Sequence, residues 1–289
     1  MTTNTLETAE ADIVYDVNGP IPTKDGRPPL FMIGQPMTAD GFKTISSFFS
    51  DRTVVTYDPR GLGRSVRKDD RVDNVPEVQA RDVHLVIEAL DAGPVDMFAS
   101  SGGAVTALAL VAAYPKDVAT LVAHEPPIWT VLPDADAAEQ ARKDVVGAYE
   151  AGGWGVGMAA FIAMTTWRGE YTDEYFAQPQ PDPAMFGLPV DDNGSRDDPL
   201  LSDRSDPVTS YRPDFAALKS ASTRIVIAAG EESKDLFTWR ASEAVAEKLG
   251  QRVTVFPSHH GGFNGGDGPY AGKPEEFARK LREVLDKKV

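Results

Sequence analysis

A serine placed on a sharp turn between a strand and a helix is exposed for nucleophilic attack, and Phe98-Ala99-Ser100-Ser101-Gly102-Gly103 has the composition for such a turn. The turn strains its central residue, so the residues two places to either side must be small. Around Ser101 those neighbours are Ala99 and Gly103; around Ser100 they are Phe98 and Gly102, and Phe98 does not fit. Ser101 is therefore the expected nucleophile. A serine hydroxyl is weakly nucleophilic and needs a base within hydrogen-bond reach, oriented in turn by an acid. The chain has four histidines, His84, His124, His259 and His260. His84 lies between the apolar positions of a helix and is expected at the surface. His124 ends a strand beside Glu125, where a structural role is expected. His259 and His260 follow the last strand, where adjacent side chains point apart, so one of the two can face the serine.

Other chemistries are excluded by what the chain lacks. With no cysteine there is no disulfide, no thiolate metal site and no cysteine nucleophile. The tandem histidines have no third ligand at useful spacing, so no metal is expected. Gly61-Leu62-Gly63 and the glycine run from Gly261 to Gly268 lack phosphate-loop or dinucleotide spacing. The acidic stretch from Asp191 to Asp206 lacks calcium-loop spacing and reads as a solvated loop. Forty-four acidic against 29 basic residues give a net charge of −15, which repels nucleic acid and anionic membranes.

The elements that must position Ser101 follow a strand–helix rhythm. Ile13-Val14-Tyr15-Asp16-Val17, Pro29-Leu30-Phe31-Met32-Ile33, Thr53-Val54-Val55-Thr56-Tyr57, Val95-Asp96-Met97-Phe98 and a run from Val118 to Ala123 read as strands, several of them apolar on both faces. Between them, residues 42–49 have helical spacing, Pro76 opens a helix that Gly93-Pro94 ends, and residues 102–114 form an apolar helix. This is the pattern of a mostly parallel sheet covered by helices, an α/β fold. Residues 1–11 read as a polar, frayed tail. After Pro127 the rhythm breaks. Residues 135–149 and 156–166 read as helices and residues 178–206 as loop. Strand and helix then resume with Arg224-Ile225-Val226-Ile227-Ala228-Ala229, a helix over 241–249, Val253-Thr254-Val255-Phe256 and a closing helix over 274–285. The helical block is an insertion: core at 1–127 and 221–289, insertion at 128–220.

Over nearly its whole length the chain resembles the α/β-hydrolase superfamily. Gly34-Gln35-Pro36 is similar to that family's His-Gly-x-Pro oxyanion loop, with Ile33 in place of the usual His. Tyr57-Asp58-Pro59-Arg60-Gly61-Leu62-Gly63-Arg64-Ser65 resembles the turn before the family's nucleophile, and Pro257-Ser258-His259-His260-Gly261-Gly262-Phe263 resembles its catalytic histidine loop. The resemblance implies a doubly wound sheet and makes the 128–220 insertion the cap. It implies His260 as the base. It also implies an oxyanion hole from the backbone N–H groups of Gln35 and Gly102; Pro36 has no N–H, and Gly102 opens a helix. The acid is the departure. The family's usual position, third past Gly230, is Ser233, which carries no charge. The alternative position, after the preceding core strand, holds Glu125 in Ala123-His124-Glu125-Pro126-Pro127, similar to haloalkane and fluoroacetate dehalogenases and some epoxide hydrolases. Glu125 is the expected acid, with Glu232 as the alternative.

Those relatives attack with Asp, whereas Ser101 favours attack on a carbonyl carbon through an acyl-enzyme. The expectation is a cofactor-free hydrolase of a small or medium apolar ester, lactone or thioester. Cleavage of a C–C or amide bond, perhydrolysis, or a non-hydrolytic ligand-binding member of the fold are the rivals. Within the insertion, Trp129, Trp154 and Trp167 are the candidate pocket residues, among aromatics and methionines that include Phe161 and Met164. Without a basic, apolar start or a bilayer-length apolar run, the protein is expected in the cytoplasm, and a homodimer is compatible with the sequence.

Overall fold

Alternation of buried side chains between two apolar clusters along single strands explains why this chain folds as a two-faced sheet. In the computed structural model, which describes residues 1–266 and 271–287, the strands are β1 (Thr2–Glu7), β2 (Ala11–Asn18), β3 (Leu30–Gln35), β4 (Val54–Tyr57), β5 (Val66–Arg67), β6 (Val95–Ser101), β7 (Val118–His124), β8 (Arg224–Gly230) and β9 (Thr254–Phe256). All six residues of β3 are buried. Leu30 and Met32 join one apolar cluster, while Phe31 and Ile33 join the other. The same two-residue period splits Phe98 from Met97 and Ala99, and Val122 from Leu121 and Ala123.

Helices cover both faces. They are α1 (Lys43–Ser47), α2 (Pro76–Leu90), α3 (Gly102–Ala113), α4 (Ala135–Thr166), α5 (Asp173–Phe176), α6 (Asp206–Thr209), α7 (Phe215–Ser220), α8 (Phe237–Lys248) and α9 (Pro274–Asp286). Val83, Val86 and Leu108 of α2 and α3 pack with Phe31 and Met97, whereas Phe277 and Leu281 of α9 pack with Met32 and Phe98. Strand order is β1-β2-β4-β3-β6-β7-β8-β9, with β5 pairing on β2. Neighbours from β4 to β9 along this order are parallel; those involving β1, β2 and β5 are antiparallel. The chain leaves β3 to one side for β4 and returns to the other for β6. The carboxyl ends of β3 and β6 therefore border the crevice where doubly wound sheets bind ligands.

The sequence expectations need four corrections. Thr2–Glu7 is an edge strand, paired with β2 from Thr2↔Val17 to Glu7↔Asp12, and not a frayed tail. Its polar composition hides it, because an edge strand needs backbone partners more than apolar ones. The helices expected at 135–149 and 156–166 are the two arms of α4, kinked at Gly153, whose φ of 79° a side-chain-bearing residue rarely adopts. Helix α8 starts at Phe237, four residues before the expected start. His84 is not free on the surface: its ring stacks on Tyr114 at 3.8 Å, and its Nδ1 is 2.7 Å from Asp117. Between β7 and β8 no strand occurs among the described residues. Trp129, Tyr149, Met164, Leu201 and Val208 from this segment belong to the same apolar cluster as Leu108 and Leu121. Gly268, the end of the glycine run, lies outside the described residues.

Candidate active site

Strand β6 runs straight into α3 with Ser101 at the corner, at φ 57° and ψ −131°. A serine in that region is strained and persists only where its surroundings enforce it. The enforcement is close packing. A Cβ on Gly103 would lie 2.6 Å from Gly34 Cα and from the Ile33 carbonyl oxygen, so α3 can approach β3 only through glycine. Gly103→Ala must push α3 off the strand; a loss of about 1–3 kcal/mol is expected by thermal unfolding, as for an overpacked core. An unchanged melting curve would show that the corner is looser than this.

Across the β3–β6 pair, Gln35 lies in register with Ser101. Gly102 is packed so tightly on Gln35 that a Cβ there would meet Gln35 Cβ at 2.9 Å. Gln35 and Gly102 thus flank Ser101, and all three line one cavity of about 510 Å³.

Glu125 begins the loop after β7. Its φ of 50° turns the chain out of the sheet, and its N–H donates to the Ala228 carbonyl at 2.9 Å. The carboxylate is wholly buried. Oε1 accepts the Gly230 N–H at 2.8 Å; Oε2 accepts the Thr238 hydroxyl at 2.6 Å and faces His260 Nδ1, also at 2.6 Å. Burial works against the charge, but the His260 hydrogen bond, the nearby His260 ring and the Thr238 hydroxyl outweigh it. They hold the carboxyl well below its ordinary range. An anion at Nδ1 keeps the His260 proton there and leaves Nε2 free to accept one.

The other histidines are placed differently. His259 also lines the cavity, but its Nδ1 accepts the Gly261 N–H at 3.1 Å and no hydrogen bond joins it to Glu125 among the described residues. His124 is fully buried among Phe98, Phe256, Phe263 and Phe277. Its Nδ1 is 3.2 Å from Ser100 Oγ, and its Nε2 is 3.9 Å from Glu125 Oε1. Burial lowers its pKa to about 4, against which Glu125 pulls only weakly, so the ring is neutral at pH 7. Ser100 therefore faces His124 and not the cavity. The alternative acid, Glu232, forms an ion pair with Lys273 Nζ at 2.8 Å, and its carboxylate makes no hydrogen bond to a histidine among the described residues.

His260 lines the same cavity as Ser101. Among the described residues no hydrogen bond joins the two, a contact that in ligand-free sites often forms only with substrate. Much of the remaining lining is apolar, with Phe161 and Met164 from α4, Leu200, Val208 and Phe237. The three candidate tryptophans are not part of it. Trp129 is packed into the core, Trp154 Nε1 donates to Asp198, and Trp167 Nε1 donates to the Glu170 carbonyl while its ring meets Tyr175. Indole rings are spent here on packing and on anchoring their own N–H groups. Sequence reading also misses Thr238 and Gly230, the clamps on Glu125, because a lone hydroxyl and a backbone N–H leave no pattern.

Residues 34–280 match the alpha/beta hydrolase family. The chain belongs to that family. A relative, the uncharacterized hydrolase YraK of Bacillus subtilis (strain 168), is 28% identical over 290 residues, covering 98% of this chain and 96% of its own length. Two solved structures share the fold. A thermophilic esterase from Thermogutta terrifontis has a TM-score of 0.63 at 19% identity, over 99% of this chain and 98% of its own. A proline iminopeptidase from Mycobacterium smegmatis has a TM-score of 0.63 at 19% identity, over 98% and 97% respectively. The protein is thus a hydrolase of this family. Among the described residues no helix is long and apolar enough to cross a membrane.

Proposed function

We propose that this hydrolase cleaves a carboxylic ester, lactone or thioester through an acyl-enzyme on Ser101, beneath a cap formed by residues 128–220. His260 takes the Ser101 proton as the hydroxyl attacks, and later returns one to the leaving group. Glu125 holds the ring in the productive tautomer and stabilises the imidazolium that forms. The backbone N–H groups of Gln35 and Gly102 receive the oxyanion, with Gly102 at the positive end of α3. The reading is carried by one observation: the buried Glu125 carboxylate meets His260 Nδ1 at 2.6 Å while His260 and the strained Ser101 line one cavity. A cavity with an apolar wall suits a substrate of modest size.

The test is intact-mass labelling with a fluorophosphonate probe on wild type and Ser101→Ala in parallel. One adduct on wild type and none on the variant is the expected outcome. A folded wild type that takes no adduct would refute an activated serine and favour a ligand-binding role. An adduct retained by Ser101→Ala would move the nucleophile elsewhere.

A further inference from the structure

One wall residue of the cavity is charged and enclosed. Arg142, on the first arm of α4, leaves 5% of its side chain exposed and lines the space shared by Ser101 and His260. Its Nη2 donates to the carbonyls of Leu200 (3.2 Å) and Ser202 (2.6 Å) and to Ser205 Oγ (2.8 Å), and its Nη1 to the Leu201 carbonyl at 3.3 Å. A guanidinium has five N–H groups. Nε has no acceptor among the described residues, and Nη1 has one long contact. The carboxylate beside it, Asp206, pairs with Nη2 through Oδ1 at 3.3 Å; that oxygen is buried, although the side chain as a whole is 42% exposed. Burial pushes the guanidinium below its ordinary basicity, and Asp206 and Asp203 oppose this only in part. The cation is thus enclosed and paired with Asp206, with Nε and one Nη1 hydrogen left without a protein acceptor among the described residues.

A second observation points the same way. The protein carries a net charge of −15. Yet the fixed charges among the described lining residues are two guanidiniums, Arg142 and Arg168, and one carboxylate, Glu232. Glu232 is neutralised by Lys273 at 2.8 Å. Arg168 donates to the backbone carbonyls of Glu232 and Lys234 and pairs with no carboxylate among the described residues. Glu125 lies behind His260 and not on the wall. The charged groups lining the cavity are thus net positive in an anionic protein, with Arg168 and Glu232 on its solvent-exposed side and Arg142 on its enclosed side, where a charge is screened least.

We propose that the substrate carries a carboxylate in addition to its scissile carbonyl group, and that Arg142 is the specificity-determining residue that receives it. The inference rests on the hydrolase reading above and narrows it, from apolar esters in general to acyl chains with an apolar body and an anionic end. Such a ligand matches a wall in which Phe161, Met164 and Val208 accompany Arg142.

The test compares p-nitrophenyl hexanoate with mono-p-nitrophenyl adipate, which share leaving group and acyl length and differ in the terminal carboxylate. In wild type, kcat/KM for the adipate half-ester is expected to exceed that for the hexanoate by about tenfold or more. Arg142→Met should abolish the preference, and Arg142→Lys should keep part of it. Because the readout is a ratio on one enzyme, a general loss from a disturbed 200–206 loop cancels. If Arg142→Met does not fold, the wild-type ratio decides alone. Wild type that hydrolyses both esters without favouring the half-ester overturns the proposal and leaves the hydrolase reading intact. So does a preference that Arg142→Met retains. If neither ester is turned over and Ser101 takes no fluorophosphonate, the hydrolase reading fails and this proposal falls with it.

Discussion

Glu125→Gln lowers kcat/KM roughly a thousand- to ten-thousandfold on any ester the wild type cleaves, the scale seen when a triad acid becomes an amide. The reason lies in the partners of the carboxylate. One oxygen accepts from Gly230 N–H and the other faces both the Thr238 hydroxyl and His260 Nδ1. An amide in this place must keep its oxygen on the Gly230 N–H, because an NH₂ there would meet another donor. Its NH₂ then faces His260 and donates to Nδ1, which moves the ring proton to Nε2. In the mechanism proposed above that nitrogen accepts from Ser101, so the base is then blocked with little change of shape. Glu232→Gln, which breaks the ion pair with Lys273 at the surface, should cost less than about tenfold. Steady-state kinetics on the two variants decides the assignment. If Glu232→Gln is the crippled enzyme and Glu125→Gln is active, the acid lies on the loop after β8.

Acidification from pH 7 to pH 4 should remove up to roughly 3 kcal/mol of folding stability through His124 alone. The ring is buried and its pKa lies at about 4, against an ordinary 6.5. Between those values the unfolded chain binds a proton that the native state refuses, so stability rises with pH across this window and falls as the solution is acidified. Glu125 acts in the same direction but lower. Its carboxyl is held below its ordinary value of 4.5, so the stability it adds above that pH is lost as pH drops beneath it. Urea titrations at pH 7 and pH 4.5 on wild type and His124→Gln separate the two. The variant is less stable throughout, but its loss between the two pH values should be markedly smaller. An equal loss in both proteins would mean that His124 titrates in the native state as it does in the unfolded chain.

The parts of this fold that a sequence exposes are those whose burial is forced by their own neighbours. Strands β3, β6 and β7 are apolar on both faces, so their runs announce a sheet covered on both sides. The Ser101 corner is legible because Ala99 and Gly103 must be small for α3 to meet β3. The closeness of Glu125 and His260, 135 positions apart, follows from two loops that leave the same end of a parallel sheet. What stayed hidden is set by tertiary partners alone. Strand β1 shows no apolar period, since its pairing with β2 is backbone to backbone. Trp129, Trp154 and Trp167 look like pocket residues by type, yet the wall fell to Phe161, Met164 and Arg142. Nothing in a helical period tells an arginine that clasps carbonyls beside a cavity from one in water.

The helical segment between β7 and β8 has no core of its own: Trp129, Tyr149, Met164, Leu201 and Val208 belong to the apolar cluster that includes the sheet. It therefore cannot be exchanged as a cassette with the corresponding segment of a relative, since the graft would have to fit a surface shaped by this chain's own strands. A change of substrate preference is instead expected from single side chains, at positions such as Phe161 or Leu200 that touch the cavity. Each such step spends some of the stability that the same residues give to the whole molecule.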